Sequence, residues 1–310
     1  MFCSERETTM RECYVYAFAL ATAFVLNLYL LVPSSVSKLP RNNERHIKFR
    51  MISVLVTCLI GILSHHYIFC RTFNGIDVFD MQMNELFFAP VKHVSVLYLG
   101  SFVSSALESH VIFHSHSCSM SYSKFMYNQI STKLTEPFRN SRFQVARDLI
   151  IAPFAEELIF RSLTISPMLY SREYLEGTVR ISTICVTTPL FFGLAHVHHA
   201  YTKIKHDKVP VSKALMSSGF QFIYTYLFGA YASFCYVKIK SLMSVCLVHS
   251  LCNYLSLPNI AIFLVETRSR QNTRAYYAIV GLMYVVGIFL FYLGFHSLFA
   301  FENESFHETF

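Results

Sequence analysis

The 310-residue sequence has no tryptophan, and only 15% of its residues are charged, whereas soluble domains usually carry about a quarter. The shortage of charge arises from long apolar blocks, each close to the length that crosses the hydrocarbon core of a bilayer. Nine cysteines are present, but their number is odd and no Cys-x-x-Cys pair occurs. These absences argue against a soluble domain, a disulfide framework and a zinc-finger type of site.

The apolar blocks predict eight membrane spans in a window of about 19 residues. They cover residues 14–32, 51–70, 86–107, 143–165, 179–199, 214–236, 242–264 and 276–299. The first block is too long for a signal-peptide core, so we expect a retained anchor. The predicted fold is all-α, a single polytopic membrane domain over residues 1–310 with about eight transmembrane helices around a polar cavity within the membrane.

The segments between the spans alternate in charge. Basic residues predominate in segments 34–50, 108–142, 200–213 and 265–274, whereas segment 71–85 and the tail after residue 300 are acidic. Only the short link from Lys238 to Lys240 breaks the alternation. Basic connections remain in the cytosol, so both termini are expected on the lumenal or outer side. This distribution explains the net charge of +7 without a nucleic-acid partner.

The fourth span contains charged residues that a lipid-facing helix avoids, since each costs about 2.5–3.5 kcal/mol to insert. Glu157 and Arg161 are four residues apart, the favourable order for an ion pair on one helix face. Glu156 is turned by about 100° from Glu157, which leaves it for another partner and for the role of a general base. Pro153 should kink the helix and could open a cavity. An ion-pair network that only fixes helix packing is the alternative.

Two later spans add histidines and an asparagine. Phe192 lies one turn before His196 and is expected to pack against its ring. His249 and Asn253 share a helix face, where both can donate hydrogen bonds to the oxyanion of a tetrahedral intermediate. Polar contacts between helices are the simpler explanation for each of these residues taken singly.

Together these residues suit hydrolysis of a peptide bond inside the membrane. Glu156 and His196 would hold and deprotonate a water, and the hydroxide would attack the peptide carbonyl. His249 and Asn253 would stabilise the oxyanion. The ion pair beside Glu156 would keep that carboxylate ionised or oriented.

Three motifs carry a resemblance to a known family: Glu156-Glu157-x-x-x-Arg161, Phe192-x-x-x-His196 and His249-x-x-x-Asn253. In this order, and each within an apolar helix, they resemble the motifs of the type II CAAX prenyl endopeptidases. These are the Ras-converting enzymes of the glutamate intramembrane protease superfamily. The resemblance is close over residues 143–257, and the eight predicted spans agree with it.

The resemblance implies a multi-pass protein of the endoplasmic reticulum membrane that needs neither metal nor cofactor. Its partners would be prenylated CAAX-tail proteins such as Ras-like GTPases, whose last three residues it would remove from the cytosolic side. The catalytic residues implied by motif position are Glu156, His196, His249 and Asn253, supported by Glu157, Arg161 and Phe192.

Two other functions remain open at this point. A metal-dependent membrane protease could use His196, His198, His249 and the glutamates as zinc ligands. However, no His-Glu-x-x-His motif occurs, and His196 and His198 point about 200° apart on a helix. We expect His198 and His199 to lie at the membrane interface. A transporter or proton relay could also use buried glutamate and histidine, but no inverted halves are visible in the sequence.

Overall fold

The computed structural model describes residues 8–69, 86–115, 120–205, 208–257 and 273–299, in which all regular structure is helical. Ten helices in these ranges are labelled here: α1 (Met10–Leu30), α2 (Glu44–Phe69), α3 (89–115), α4 (Tyr122–Thr135), α5 (142–169), α6 (181–195), α7 (His198–Lys205), α8 (Val211–Ile239), α9 (Leu242–Leu255) and α10 (Thr273–Phe299). Single helical turns at Ser34–Ser37, Glu136–Arg139 and Arg172–Leu175 lie in the connections.

Five helical segments of the described ranges are long and apolar enough to cross a membrane: Met10–Leu30, Glu44–Phe69, Ala89–His114, Ile181–Lys205 and Ala275–Phe295. Helices α5, α8 and α9 lie among them and account for the other three predicted spans. α5 carries charged residues, and α9 has only 14 residues. The prediction of an all-α polytopic membrane protein is confirmed. Residues 258–264, the end of the predicted seventh span, lie outside the described residues.

Several observed helix ends differ from the predicted span boundaries because of local backbone features. The fifth span is interrupted at His196, where α6 ends before α7 begins. The sixth and seventh spans separate at Lys240, whose φ of 56° is left-handed, and Ser241 then caps α9 by accepting from the Ser244 amide. The predicted loop 108–142 contains α4, which the hydropathy window missed because this helix is polar.

Helix α5 forms the centre of the bundle. Every residue from 157 to 169 is buried, as expected for a helix that neighbours surround on all sides. α9 packs along the first half of α5, α6 packs on α8, and α1 packs on α2. At the periphery, α10 lies along α3 and exposes apolar side chains such as Leu282 and Val285, which suits contact with lipid.

Two of the basic connections meet at one end of the bundle. The Lys48 ammonium lies 4.2 Å from the centre of the Phe143 ring, and the Ser141 hydroxyl donates to Glu44 at 2.9 Å. These contacts join segment 34–50 to the end of segment 108–142. The grouping agrees with the predicted alternation of charge. Segment 71–85, residues 265–272 and the tail after residue 299 lie outside the described residues.

Helix α5 is wider than a regular α-helix on both sides of its two glutamates. Residues 147–151 and 158–162 form π-helical turns. Pro153 lacks an N–H, so a backbone carbonyl of the preceding turn loses its partner. Donors from α9 satisfy this region, because Ser250 donates to the Leu149 carbonyl at 2.7 Å and Asn253 donates to the Asp148 carbonyl at 2.9 Å. The predicted kink therefore takes the form of wide turns that fasten α9 to α5.

Two glycines of α8 provide a test of this packing. A Cβ on Gly229 would lie 2.9 Å from Pro189 Cβ and 3.5 Å from Arg161 Nη2, whereas a Cβ on Gly219 has nothing within 4 Å. We expect Gly229→Ala to lower the free energy of unfolding by about 1–3 kcal/mol, because the rigid proline ring has to shift. Gly219→Ala should be neutral, or stabilising by up to about 1 kcal/mol through helix propensity. Thermal unfolding in detergent measures both, and equal destabilisation would contradict the close approach at Gly229.

Candidate active site

A buried carboxylate joins α5 to α9. Glu157, which is 0% exposed, accepts a hydrogen bond from His249 Nδ1 at 2.6 Å through Oε1. Its other oxygen, Oε2, lies 3.1 Å from Arg161 Nε. The predicted pairing of Glu157 with Arg161 is confirmed. The bond to His249, 92 residues further along the chain, was not predicted.

The Arg161 guanidinium is held by charge and packing more than by hydrogen bonds. It is 1% exposed, and its Cζ lies 4.7 Å from the centre of the Phe192 ring, an arrangement that favours a cation. Nη1 and Nη2 have no hydrogen-bond partner among the described residues. The Glu157 charge is therefore the principal compensation for this buried cation, and the aromatic face from α6 adds to it.

Glu156 has a different environment from its neighbour. Its side chain is 17% exposed, and Oε2 lies 3.8 Å from His249 Nε2. The two ring nitrogens of His249 thus contact different glutamates. Nδ1 is hydrogen-bonded to Glu157, and Nε2 faces Glu156. The two carboxylates have different surroundings, since one is enclosed by protein and the other reaches a cavity. They nevertheless share His249, which the sequence did not predict.

His196 is oriented by the helix that precedes it. Its Nδ1–H donates to the Phe192 carbonyl at 2.8 Å, one turn earlier. Its ring also meets the Phe192 ring edge to face, with 4.7 Å between the ring centres, which confirms the predicted contact. With the proton on Nδ1, the neutral ring has its basic nitrogen at Nε2.

One cavity of about 690 Å³ contains the predicted catalytic set. Its lining includes Glu156 from α5, His196 after α6, and His249 and Asn253 from α9, together with Phe192. Four polar side chains from three separate parts of the chain therefore face one shared cavity. This is the arrangement that the sequence analysis required for a shared water.

Asn253 is positioned by the wide turn of α5. One hydrogen of its amide is given to the Asp148 carbonyl at 2.9 Å. The amide nitrogen carries a second hydrogen, and the side chain is exposed at the cavity wall. The bond to α5 fixes the direction of the amide without using both of its donors.

The contribution of α8 to this cavity was not predicted from the sequence. Gln221, Tyr224, Thr225 and Phe228 line it, and the Phe228 ring centre lies 4.9 Å from that of His249. A signal was present in the spacing, because Gln221 and Thr225 are polar residues one turn apart in the middle of a predicted span.

In the described part of the chain, no three histidine, cysteine, aspartate or glutamate side chains are arranged to bind one metal ion. His198, a candidate ligand, donates from Nδ1 to the Ala195 carbonyl and meets the Tyr29 ring edge to face. Nδ1 of His249, another candidate ligand, is hydrogen-bonded to Glu157.

Comparison with known proteins gives a consistent result. The sequence profile described as type II CAAX prenyl endopeptidase Rce1-like matches residues 138–255, which include α5, α6 and α9. Human CAAX prenyl protease 2 is 28% identical over 288 residues, covering 87% of this chain and 79% of the human protein. Over α5, α6 and α9 this chain is therefore similar to the type II CAAX prenyl endopeptidases.

Relatives from distant organisms give similar matches. A probable CAAX prenyl protease 2 of Schizosaccharomyces pombe is 27% identical over 282 residues, covering 90% of this chain and 91% of that protein. CAAX prenyl protease 2 of Arabidopsis thaliana is 28% identical over 253 residues, covering 77% of this chain and 78% of that protein. No solved structure gives a significant match. These matches favour the peptidase over the transporter and metal-dependent alternatives.

The buried junction yields a prediction that separates stability from activity. Glu157→Gln should lower the free energy of unfolding by about 3–5 kcal/mol, because Arg161 is left as an uncompensated buried cation. The double variant Glu157→Gln/Arg161→Met removes that cation and should recover much of the stability. Activity should stay low in both variants, because His249 Nδ1 loses its carboxylate acceptor. Unfolding and turnover are measured on the same preparations, and recovery of both in the double variant would contradict the role of Glu157 at His249.

Proposed function

We propose that this protein is an intramembrane endopeptidase that removes the C-terminal tripeptide from prenylated CAAX proteins, using a water activated by Glu156 and His196. The observation that carries the proposal is the shared cavity of about 690 Å³, which Glu156, His196, His249 and Asn253 all line. Similarity to proteins named CAAX prenyl proteases supports the substrate class.

The proposed activation of water uses two acceptors. The Glu156 carboxylate accepts a proton, and Nε2 of His196 accepts a hydrogen bond from the same water. The hydroxide adds to the peptide carbonyl carbon, and the proton on Glu156 passes to the leaving amine as the C–N bond breaks. Proton transfer by a positioned side chain typically contributes about 10²–10⁴-fold to the rate.

Two donors on α9 are proposed to hold the oxyanion. The second amide hydrogen of Asn253 is one of them. His249 donates from Nε2 when its ring carries both protons, and Glu157 is then both the acceptor for Nδ1–H and the counter-ion. Such donors act strongly where water is excluded, since no reorganisation is needed during the reaction.

We place the entrance to the site on the cytosolic side of the endoplasmic reticulum membrane. Basic connections cluster at the end of the bundle where Arg41 and Asp148 line the cavity, and basic connections remain in the cytosol. Prenylated tails, such as those of Ras-like GTPases, arrive from that compartment with their lipid already in the bilayer. The resemblance of the three motifs to those of the type II CAAX prenyl endopeptidases supports this location.

The decisive experiment compares two peptides of one sequence, ending in Cys-a-a-X with and without a prenyl group. The purified full-length protein in lipid nanodiscs should release the tripeptide only from the prenylated peptide, and a metal chelator should not reduce release. Mass spectrometry identifies the product. Release from neither peptide, or equal release from both, would reject the proposed substrate class.

Substitutions then test the roles of the residues. Glu156→Gln and His196→Ala should each lower kcat/KM by about 10²–10⁴-fold, because each removes one of the groups that activate water. Glu176→Gln, at an exposed carboxylate paired with Arg172, is the matched control and should retain activity. Wild-type turnover by a correctly folded Glu156→Gln protein would remove Glu156 from the mechanism.

A further inference from the structure

A second, smaller pocket of about 110 Å³ adjoins the active-site cavity. Three arginines line it, and this pocket is named the arginine pocket here after Arg41, Arg50 and Arg147. It shares Glu156, His196 and Arg41 with the larger cavity. A peptide chain that ends in the arginine pocket would therefore pass the groups proposed to activate water.

The arginine pocket has unmatched positive charge. The carboxylate of Asp148 in its wall is already bound by Arg147 through two bonds, from Nε at 2.6 Å and from Nη2 at 2.9 Å. Among the described residues, Arg41 and Arg50 have neither a hydrogen bond nor an ion pair from their guanidinium groups. Glu156 is the other carboxylate of the wall, so the three cations exceed the two anions.

Guanidinium groups in such a setting select a particular kind of ligand. Neighbouring like charges repel, and an anion placed between them relieves that repulsion. The planar fork of arginine matches a carboxylate with two parallel hydrogen bonds. Arg41 is exposed, in the connection between α1 and α2, so a ligand can reach it.

We propose that the arginine pocket binds the terminal carboxylate of the substrate and thereby places the cleavage site three residues from the C-terminus. This inference rests on the proposed function. A protease that releases a tripeptide has to measure a fixed length from the chain end, and three extended residues span about 10 Å. Because Glu156 and His196 lie on the wall between the two cavities, the tripeptide would extend from the scissile carbonyl at these groups to the arginines.

Two prenylated peptides that differ only at the C-terminus test the proposal, one with a free carboxylate and one with an amide. For the wild-type protein, the KM of the acid should be about 10–100-fold below that of the amide, since hydrogen bonds to a charged group are strong. Arg41→Gln and Arg50→Gln should each raise the KM of the acid toward that of the amide, so that the ratio of the two KM values falls toward one.

The control is Arg45→Gln, an exposed arginine of the same basic segment that lines neither cavity. It should keep the preference for the acid. Arg41 lies outside the helices, so Arg41→Gln should not disturb folding. It therefore tests the proposal even if Arg50→Gln fails to fold.

The outcomes separate this proposal from the proposed function. If the wild-type protein cleaves acid and amide with the same KM, the carboxylate pocket is overturned and the peptidase stands. If Arg41→Gln weakens cleavage of both peptides equally, as expected when the arginines hold a lipid phosphate, the carboxylate pocket is also overturned. If neither prenylated peptide is cleaved, the proposed function itself fails.

Discussion

The site depends on one negative charge enclosed between two helices. Glu157 compensates the Arg161 guanidinium and holds Nδ1 of His249, so a single carboxylate neutralises a buried cation and orients a ring of the candidate active site. A buried ion that loses its partner is strongly destabilising, which ties α5 and α9 into one unit. Phe192 covers the guanidinium, and Gly229 leaves room for it. The same requirement thereby extends to α6 and α8, so four of the helices that line the cavity are fixed around one charge.

The parts of the site that sequence could predict are those in which both partners lie on one helix. The contacts of Glu157 with Arg161 and of Phe192 with His196 follow from the i, i+4 geometry of a helix alone. The bond from Glu157 to His249 could not be predicted in this way, since spacing along one helix does not say which face meets another. For the same reason Gln221 of α8 was overlooked, although it lines the cavity. The sequence motifs identified the residues of the site more completely than they identified the partners of those residues.

The fold was predictable to the extent that hydropathy determines it. Apolar blocks located the spans, and an all-α membrane architecture followed. The predicted span boundaries were wrong where the local backbone conformation determines the helix end. Examples are Lys240, with its left-handed φ, and His196, where α6 ends. The π-helical turns of α5 also could not be predicted from the sequence. Pro153 signals a lost hydrogen bond, but the shape that results depends on donors such as Ser250, which come from a helix about 100 residues away in the chain.

The two π-helical turns make the length of α5 as consequential as its composition. Each such turn corresponds to one residue more than a regular turn would hold. Deleting a residue within 147–151 would convert the wide turn into a regular one and remove the geometry in which Ser250 and Asn253 donate to α5, whereas an insertion or deletion in the regular part of α5 would rotate Glu156 by about 100° relative to everything that precedes it. Insertions and deletions in this segment should accordingly be far less tolerable than exchanges of its lipid-facing side chains. Among homologous sequences, the number of residues between Arg147 and Arg161 would then be a more stringent signature than most of the side chains that separate them.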